Sequence, residues 1–578
     1  MGVAARTITL PIVPAFALYD GRMTLRPGDD FDQLVEDVPS IERPAGQQPQ
    51  HAAPSAEAKL TRVDAWWGRL LSTPARQRVW TWGGPAFVTL VAAILRLWHL
   101  GHPDSLVFDE TYYVKDAWTL HNLGYEGTWP NDVDGKFAAG QTNLFTSAPE
   151  FIAHPPLGKW LISLGMWALG PSNPAGWRLS TAIAGILAVL LVTLIARSLL
   201  KSTFLGVLAG FFMAVDGQAI VMSRVSLLDN FVMFFALLAF GAILLDRTWT
   251  QKRLDAWVVK MDNRGRDLAW GPAVWNRPWL IVAGLLLGAA TGVKWNGLYF
   301  LAIFAVYTVL VDMAARRRVG VEFWGTGTIF KQGPVTFLLM VPIALATYVA
   351  TWTGWFVTKG GYYREWVTSA PGLHWTGALS WVPDVVQNFW HYQAGIYAFN
   401  VGLSTPHPYQ ANPLLWLVMQ RPTSMYYLGL SAGQEGCTTD RCGQAITGIA
   451  NPLIWYAAVI ACVYLLYRLA RFREWQSGAI LIGVAAGYLP WLMYLDRTVF
   501  QFYTIAFEPY LLIGLAAALG HVLGRRTDDE TRRLSGIRVV GIIVIFSVVL
   551  SVFFYPMWTA TQENWSFINL HYWVPSWK

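Results

Sequence analysis

The chain alternates long apolar runs with short polar gaps. About eleven runs approach the roughly 20 residues that a helix needs to cross a bilayer. They are about 83–101, 177–199, 204–222, 228–246, 278–293, 296–313, 335–356, 449–468, 477–495, 503–521 and 536–555. The pattern predicts an all-α polytopic membrane protein. The run at 278–293 is short and predicts a tight hairpin with 296–313. The gaps sort by charge. Arg69, Arg76 and Arg78 precede the first run, Lys201 follows the second, and Arg247 to Arg277 follow the fourth. Arg316–Arg318, Arg468–Arg473 and Arg525–Arg533 follow the sixth, eighth and tenth. If the runs alternate, all these cations share one side, as cytoplasmic loops do. The amino terminus is then cytoplasmic and the carboxyl terminus extracytoplasmic. Two long loops fall outside, 102–176 and 357–448, and short membrane-lying helices are expected in both, for example over "DVVQNFWHYQAGIYAF". Residues 1–65, rich in Pro, Asp, Gln and Ala, read as a flexible cytoplasmic tail before a transmembrane domain at 66–578, with no cleavable signal peptide.

Composition strengthens this picture. Charged residues make up 14% of the chain and hydrophobic ones 54%, where soluble domains carry about 25% charged residues. Burial in lipid requires such a deficit. The 31 Trp and 23 Tyr suit broad interfacial belts. A net charge of +7 would suit nucleic acid, but the cations lie in the gaps, where they orient helices, so a nucleic-acid partner is excluded. Cys462 lies inside an apolar run and reads as a small buried hydrophobe. Cys437 and Cys442 lie in the second outer loop, where a disulfide and two free thiols are about equally open.

The polar residues nearest the membrane collect on the outer side. Asp109 and Glu110 follow the first run, His154 lies in "AHPPLGKW", and Arg178 opens the second run. Arg224 and Asp229 occupy the turn before the fourth run, Lys294 and Asn296 the turn before the sixth, and Arg497 and Gln501 the turn before the tenth. Arg and Lys suit an anionic headgroup phosphate. The acid pair suits a general base acting on a hydroxyl. Taken singly, each has a plainer reading: a cation near a helix end ordinarily snorkels to the interface, and loop acids are ordinarily solvated. The joint clustering favours chemistry. "GLLLGAATG" reads as close helix packing rather than a phosphate loop.

"VFDETYYVKDAW", "HPPLGKWLISLG", "WRLSTAIAG", "SRVSLLDNFVMFF", "GAATGVKWNGLYF" and "STPHPYQANPLLWLVMQRP" together resemble the protein O-mannosyltransferase family, in its actinobacterial branch, over about 85–575. The resemblance implies the GT-C glycosyltransferase fold and a plasma-membrane enzyme with an extracytoplasmic site. Such an enzyme transfers mannose with inversion from polyprenyl-phosphate-mannose to Ser or Thr of secreted proteins, in the lipid bilayer, with the secretion translocon as a partner. By that resemblance Asp109 is the catalytic base and Glu110 positions acceptor or sugar. Arg178, Arg224, Lys294 and Arg497 are donor-phosphate ligands, and His154, Asp229, Asn296 and Gln501 are further site residues. No cofactor and no metal is expected. Eukaryotic members carry a β-trefoil domain where the 357–448 loop is far too short for one, and a Tyr-His-Tyr where this chain has "FQFY". Two rivals remain. One is a GT-C transferase with a glycan or lipid acceptor, against which "HPPLGKW" and "VKWNG" argue. The other is a lipid or solute transporter, disfavoured because transporters place charges near the midplane and often show repeats.

Overall fold

The computed structural model describes residues 60–578; most of the proposed 1–65 tail lies outside them. The described part is mostly helical, and its first helix is Arg62–Leu70, capped by Thr61. Among the described residues eight helices are long and apolar enough to cross a membrane, or nine if one bent pair is a single span. They are Pro74–Leu97, Pro174–Leu200, Asp229–Asp262, Gly297–Arg318, Trp324–Thr351, Pro452–Phe472, Trp475–Met493 and Glu530–Thr559. Two further predicted runs form helices of 16 residues, Pro278–Val293 and Glu508–Leu523.

Three differences from the sequence pattern have local causes. The first helix starts at Pro74, before the apolar run, because Thr73 accepts a hydrogen bond from Arg76 N (3.3 Å) and Pro74 suits the first turn. The run at 204–222 is two helices, Thr203–Val215 and Gly217–Arg224, bent by 60°. Asp216 makes the break by capping the second helix, its Oδ1 accepting from Gln218 N at 2.8 Å and Ala219 N at 3.3 Å. The fold is also not purely helical. Within the second outer loop, β1 (Ser424–Ser431) and β2 (Arg441–Thr447) form an antiparallel hairpin, and β3 (Glu563–Asn564) adds to β2 from near the carboxyl terminus. Cys437 and Cys442 are bonded across the hairpin's end.

Short helices do occupy both long loops: Glu110–Leu123 and Leu157–Leu169 in the first, Asp384–Gly402 in the second. One core cluster packs the helix bundle and the hairpin together, and a smaller one packs Glu110–Leu123 on Leu157–Leu169 and Pro174–Leu200. At the bundle's opposite end Arg277 binds both Asp246 (2.5 Å) and Asp312 (2.6 Å), joining helices Asp229–Asp262 and Gly297–Arg318 to the start of Pro278–Val293.

The glycine-rich run is a packing surface. A Cβ at Gly284 would lie 2.8 Å from Met340 O, and one at Gly288 2.7 Å from Thr347 Cβ. Close backbone approach holds this short helix against Trp324–Thr351. Gly288→Val therefore lowers the thermal midpoint in detergent by the equivalent of about 1–3 kcal/mol or more, the ordinary cost of overpacking; an unchanged midpoint would refute the close approach.

Candidate active site

The site forms where the first outer loop meets the turns before the fourth, sixth and tenth predicted spans. Asp109 occupies the N-cap position of helix Glu110–Leu123, yet its carboxylate makes no capping bond. It remains half-buried, with Tyr113 Oη 3.5 Å from Oδ2. Tyr113 lies one turn along the same helix, so the helix itself positions this contact. Burial raises the Asp109 pKa to about 6; Lys294 and the Tyr113 contact oppose the rise, and Asp229 adds to it.

The preceding residue is constrained. Phe108 has φ 52°, a left-handed conformation that is uncommon and costly for a bulky residue. Its ring is held edge-on by Phe500 (5.6 Å), Phe502 (5.8 Å) and His407 (6.0 Å between centroids).

Glu110 faces the other way. It is 0% exposed, and all its acceptor positions are filled. Arg178 Nε and Ser226 N donate to Oε1, and Arg178 Nη2 and Val107 N donate to Oε2, each at 2.8 Å. Arg178 is equally saturated. Nη1 donates to Leu100 O (3.3 Å) and Pro103 O (2.8 Å), and Nη2 also to Ser105 O (2.8 Å). All five guanidinium donors are thus engaged. Glu110 as an acceptor or sugar ligand, and Arg178 as a phosphate ligand, are corrected to one structural ion pair.

Arg224 is held in a different way, by carbonyls on its two terminal nitrogens. Its Nη1 donates to Leu95 O (3.5 Å), Arg96 O (3.0 Å) and Trp98 O (2.6 Å), and its Nη2 to His99 O (3.0 Å). It closes the C-terminus of helix Pro74–Leu97, where orphan carbonyls and the helix dipole favour a cation.

Of the expected phosphate ligands, Lys294 acts on Asp109, and Arg497 lies close to Lys294 and His154. Lys294 Nζ lies 3.0 Å from both oxygens of Asp229 and 4.0 Å over the Tyr503 ring. Burial would lower its pKa, but Asp229 and Tyr503 raise it overall, so it stays an ammonium. Arg497 Nη2 donates to Asn400 Oδ1 (3.0 Å) and its guanidinium lies over Trp491, while its Nε is shut from solvent without a partner. His154 packs against Tyr113 (6.2 Å between centroids). Burial, then Lys294, Arg497 and Lys159, push its pKa well below the usual value, so its imidazole is neutral. Asn296 is buried, and neither its amide nitrogen nor its oxygen has a partner. Gln501 spends its Nε2 on Trp416 O (2.9 Å) and leaves Oε1 unpartnered.

The sequence reading missed Tyr113, Tyr503 and Asn400. Tyr113 carried a signal, its spacing of four from Asp109 on a helix. It also missed Lys159, inside the quoted "HPPLGKW". This ammonium lies buried 2.6 Å from Glu126 and 3.5 Å from Asp116. Burial raises Asp116 to about 7 against the opposing pull of Lys159. Among the described residues no three His, Cys, Asp or Glu side chains are grouped as a metal site would need.

A profile of the dolichyl-phosphate-mannose-protein mannosyltransferase family matches residues 86–259. A profile of the C-terminal four-span region of protein O-mannosyltransferases matches residues 385–577. A polyprenol-phosphate-mannose–protein mannosyltransferase of Mycolicibacterium smegmatis is 33% identical over 506 residues, covering 86% of this chain and 93% of that protein. One from Corynebacterium glutamicum is 30% identical, covering 87% and 94%. The Saccharomyces cerevisiae Pmt1-Pmt2 complex, solved bound to the sugar donor, aligns with a TM-score of 0.62 at 14% identity, over 91% of this chain and 97% of that one. That likeness shows a shared fold.

The saturated pair makes a direct prediction. Glu110→Gln weakens the buried pair and lowers stability by about 3 kcal/mol, within the cost of breaking such pairs. Thermal unfolding in detergent reads it, and transfer activity should fall only with the folded fraction. A wild-type midpoint with transfer abolished would return Glu110 to a chemical role.

Proposed function

The chain belongs to the protein O-mannosyltransferase family, and on that premise we propose how its residues move mannose from polyprenyl-phosphate-mannose to Ser and Thr hydroxyls of proteins. The protein is a membrane enzyme with the GT-C fold. The observation that carries the mechanism is a half-buried Asp109 whose carboxylate makes no capping bond and which feels the charge of Lys294, with Arg497 in turn close to Lys294 and His154.

The acceptor hydroxyl oxygen attacks the anomeric carbon while Asp109 takes its proton. The bond from that carbon to the phosphate oxygen breaks, and polyprenyl phosphate leaves with the electron pair. One displacement inverts the centre. Lys294 and Arg497 stabilise the charge gathering on the leaving phosphate, as fixed cations in a poorly solvated site do. Asn296, with both amide atoms unspent, supplies hydrogen bonds to sugar hydroxyls or phosphate oxygens, and the unspent Gln501 Oε1 accepts from a sugar hydroxyl. The neutral His154 does the same without adding charge.

Eleven crossings with a cytoplasmic amino terminus and an extracytoplasmic site fit the loop charges. Trp577 Nε1 donates to Met419 O (2.8 Å) and β3 pairs with β2, which supports one side for the carboxyl terminus and the second long loop. The setting is then the plasma membrane, with acceptors arriving as they leave the translocon. Lys294 supplies the positive charge at the phosphate, so the reaction needs no divalent cation.

Three outcomes test this reading. Asp109→Asn should lower transfer of labelled mannose to a Ser/Thr-rich peptide by about 10²–10⁴-fold, the usual weight of a general base, with an unchanged thermal midpoint; substantial activity in that folded variant would remove Asp109 from the chemistry. Because the base must be ionised, the rate should rise with pH through about 6 and then level off. A rate that falls through that window would contradict the assignment. Chelation by EDTA should leave the rate unchanged, and a loss restored by added Mn²⁺ or Mg²⁺ would overturn the metal-free mechanism. Turnover only onto a glycan or lipid acceptor would keep the fold and replace the acceptor class.

A further inference from the structure

Helix Glu110–Leu123 borders a second space besides the site of Asp109. An open cavity of about 690 Å³ lies along it, walled by Tyr112 and Trp129 among others. The far wall is stiffened by a short strip of backbone pairing, Thr128 N to Ala148 O (2.9 Å), Thr146 N to Thr128 O (2.8 Å) and Glu150 N to Glu126 O (2.9 Å). The cavity is therefore a formed recess rather than a gap between loose loops.

Its charge is unbalanced. Lys115 is spent on Asp134 at 2.7 Å, and Lys159 behind the wall on Glu126 and Asp116. Asp132 and Glu150 also line the recess; neither makes an ion pair, and Lys159 and Lys115 offset part of the Glu150 charge. Asp132 is exposed at φ 54°, and Glu150 is half-buried. Carboxylates in excess over ammonium groups, beside aromatic faces, suit an organic cation.

The distance from the base limits what can reach both places. Tyr112 and Asp116 lie three and seven residues after Asp109 on one helix, so the recess extends to about 10 Å from the base at 1.5 Å rise per residue. That is about three residues of extended peptide. We infer that this recess is an acceptor subsite for a Lys or Arg side chain about three residues from the Ser or Thr that receives mannose, selected by Asp132 and Glu150. The inference rests on the transferase reading above and adds a sequence preference to it.

The test uses the full-length protein, labelled polyprenyl-phosphate-mannose and three peptide series. Each carries one Thr, with Lys, Glu or Ala three residues before or after it. The Lys peptide of one of these spacings should show a KM about tenfold below its Glu counterpart, at similar kcat. That preference should shrink as salt is raised, because exposed charges are screened beyond about 8 Å at physiological ionic strength. In the double variant Asp132→Asn, Glu150→Gln the preference should fall to near onefold while the Ala peptide keeps its wild-type kcat/KM. Asn accepts the left-handed backbone at 132, and the Ala peptide reports on folding. Equal kcat/KM for Lys and Glu peptides in the wild type, with the Ala peptide labelled, would overturn the subsite and leave the transferase standing. A preference that persists in the double variant would also overturn it. An unlabelled Ala peptide would remove the transferase reading and the subsite together.

Discussion

The ion pair between Glu110 and Arg178 fixes the frame in which the reaction takes place. Taking two charges out of water costs several kcal/mol per ion, and the attraction between them repays this only when the remaining donors and acceptors are satisfied. Here they are: Glu110 accepts from two guanidinium nitrogens and two backbone N–H groups, and Arg178 also reaches three carbonyls between Leu100 and Ser105. The pair thereby ties the first outer loop, helix Pro174–Leu200 and the turn at Ser226 into one unit. Asp109 is the next residue back, so its backbone cannot move independently. Adjacent carboxylates have separate tasks because one is saturated by the fold and the other is not.

The cations divide in the same way. Arg178 is saturated by carbonyls and a carboxylate and Arg224 is turned onto helix-end carbonyls, leaving Lys294 close to the proposed base and Arg497 close to Lys294. Counting the formal charges of Asp109, Asp229, Lys294 and Arg497, with His154 neutral, the four sum to zero. An anionic donor phosphate entering there is therefore the uncompensated charge, and it finds two cations whose existing partners are imperfect. Lys294 shares one carboxylate with a ring face, and Arg497 leaves its Nε without an acceptor. Both are able to turn part of their field toward a phosphate without breaking a saturated network.

The run lengths made most of the helical fold legible, and loop charges suggested which ends share a face. Periodicity did not reveal the break at Asp216, because an apolar run of 19 residues looks the same whether straight or bent. Nor did it reveal the β1–β2 hairpin, whose alternation in "SMYYLGLS" was hidden inside an aromatic-rich loop. At the site, the sequence located Asp109, Lys294 and Arg497 near one another, but it could not separate them from Arg178 and Arg224. All four arginines and lysines flank helix ends. The difference lies in which backbone carbonyls fall within reach, and that follows from helix packing across more than 70 residues of sequence separation for Arg178 and 125 or more for Arg224.

The second outer loop has no room for an added soluble domain, and its contacts define what it contributes instead. Asn400, near the end of helix Asp384–Gly402, donates through Nδ2 to Ala153 O (2.9 Å) and accepts through Oδ1 from Arg497 (3.0 Å). One amide thus joins the residue before His154 to the cation in the ninth outer turn. Tyr392, two turns earlier, accepts from Ile152 N (3.3 Å), and Thr498 N donates to Leu403 O (3.0 Å). The helix is fastened to the first loop and to the turn carrying Arg497 at once. Because Phe108 also packs on Phe500 in that turn, the proposed base Asp109 and the proposed phosphate ligand Arg497 are referenced to the same segment from both sides. A loop that holds these two groups in register performs a positioning role for the transfer, and it does so with contacts inside the membrane domain.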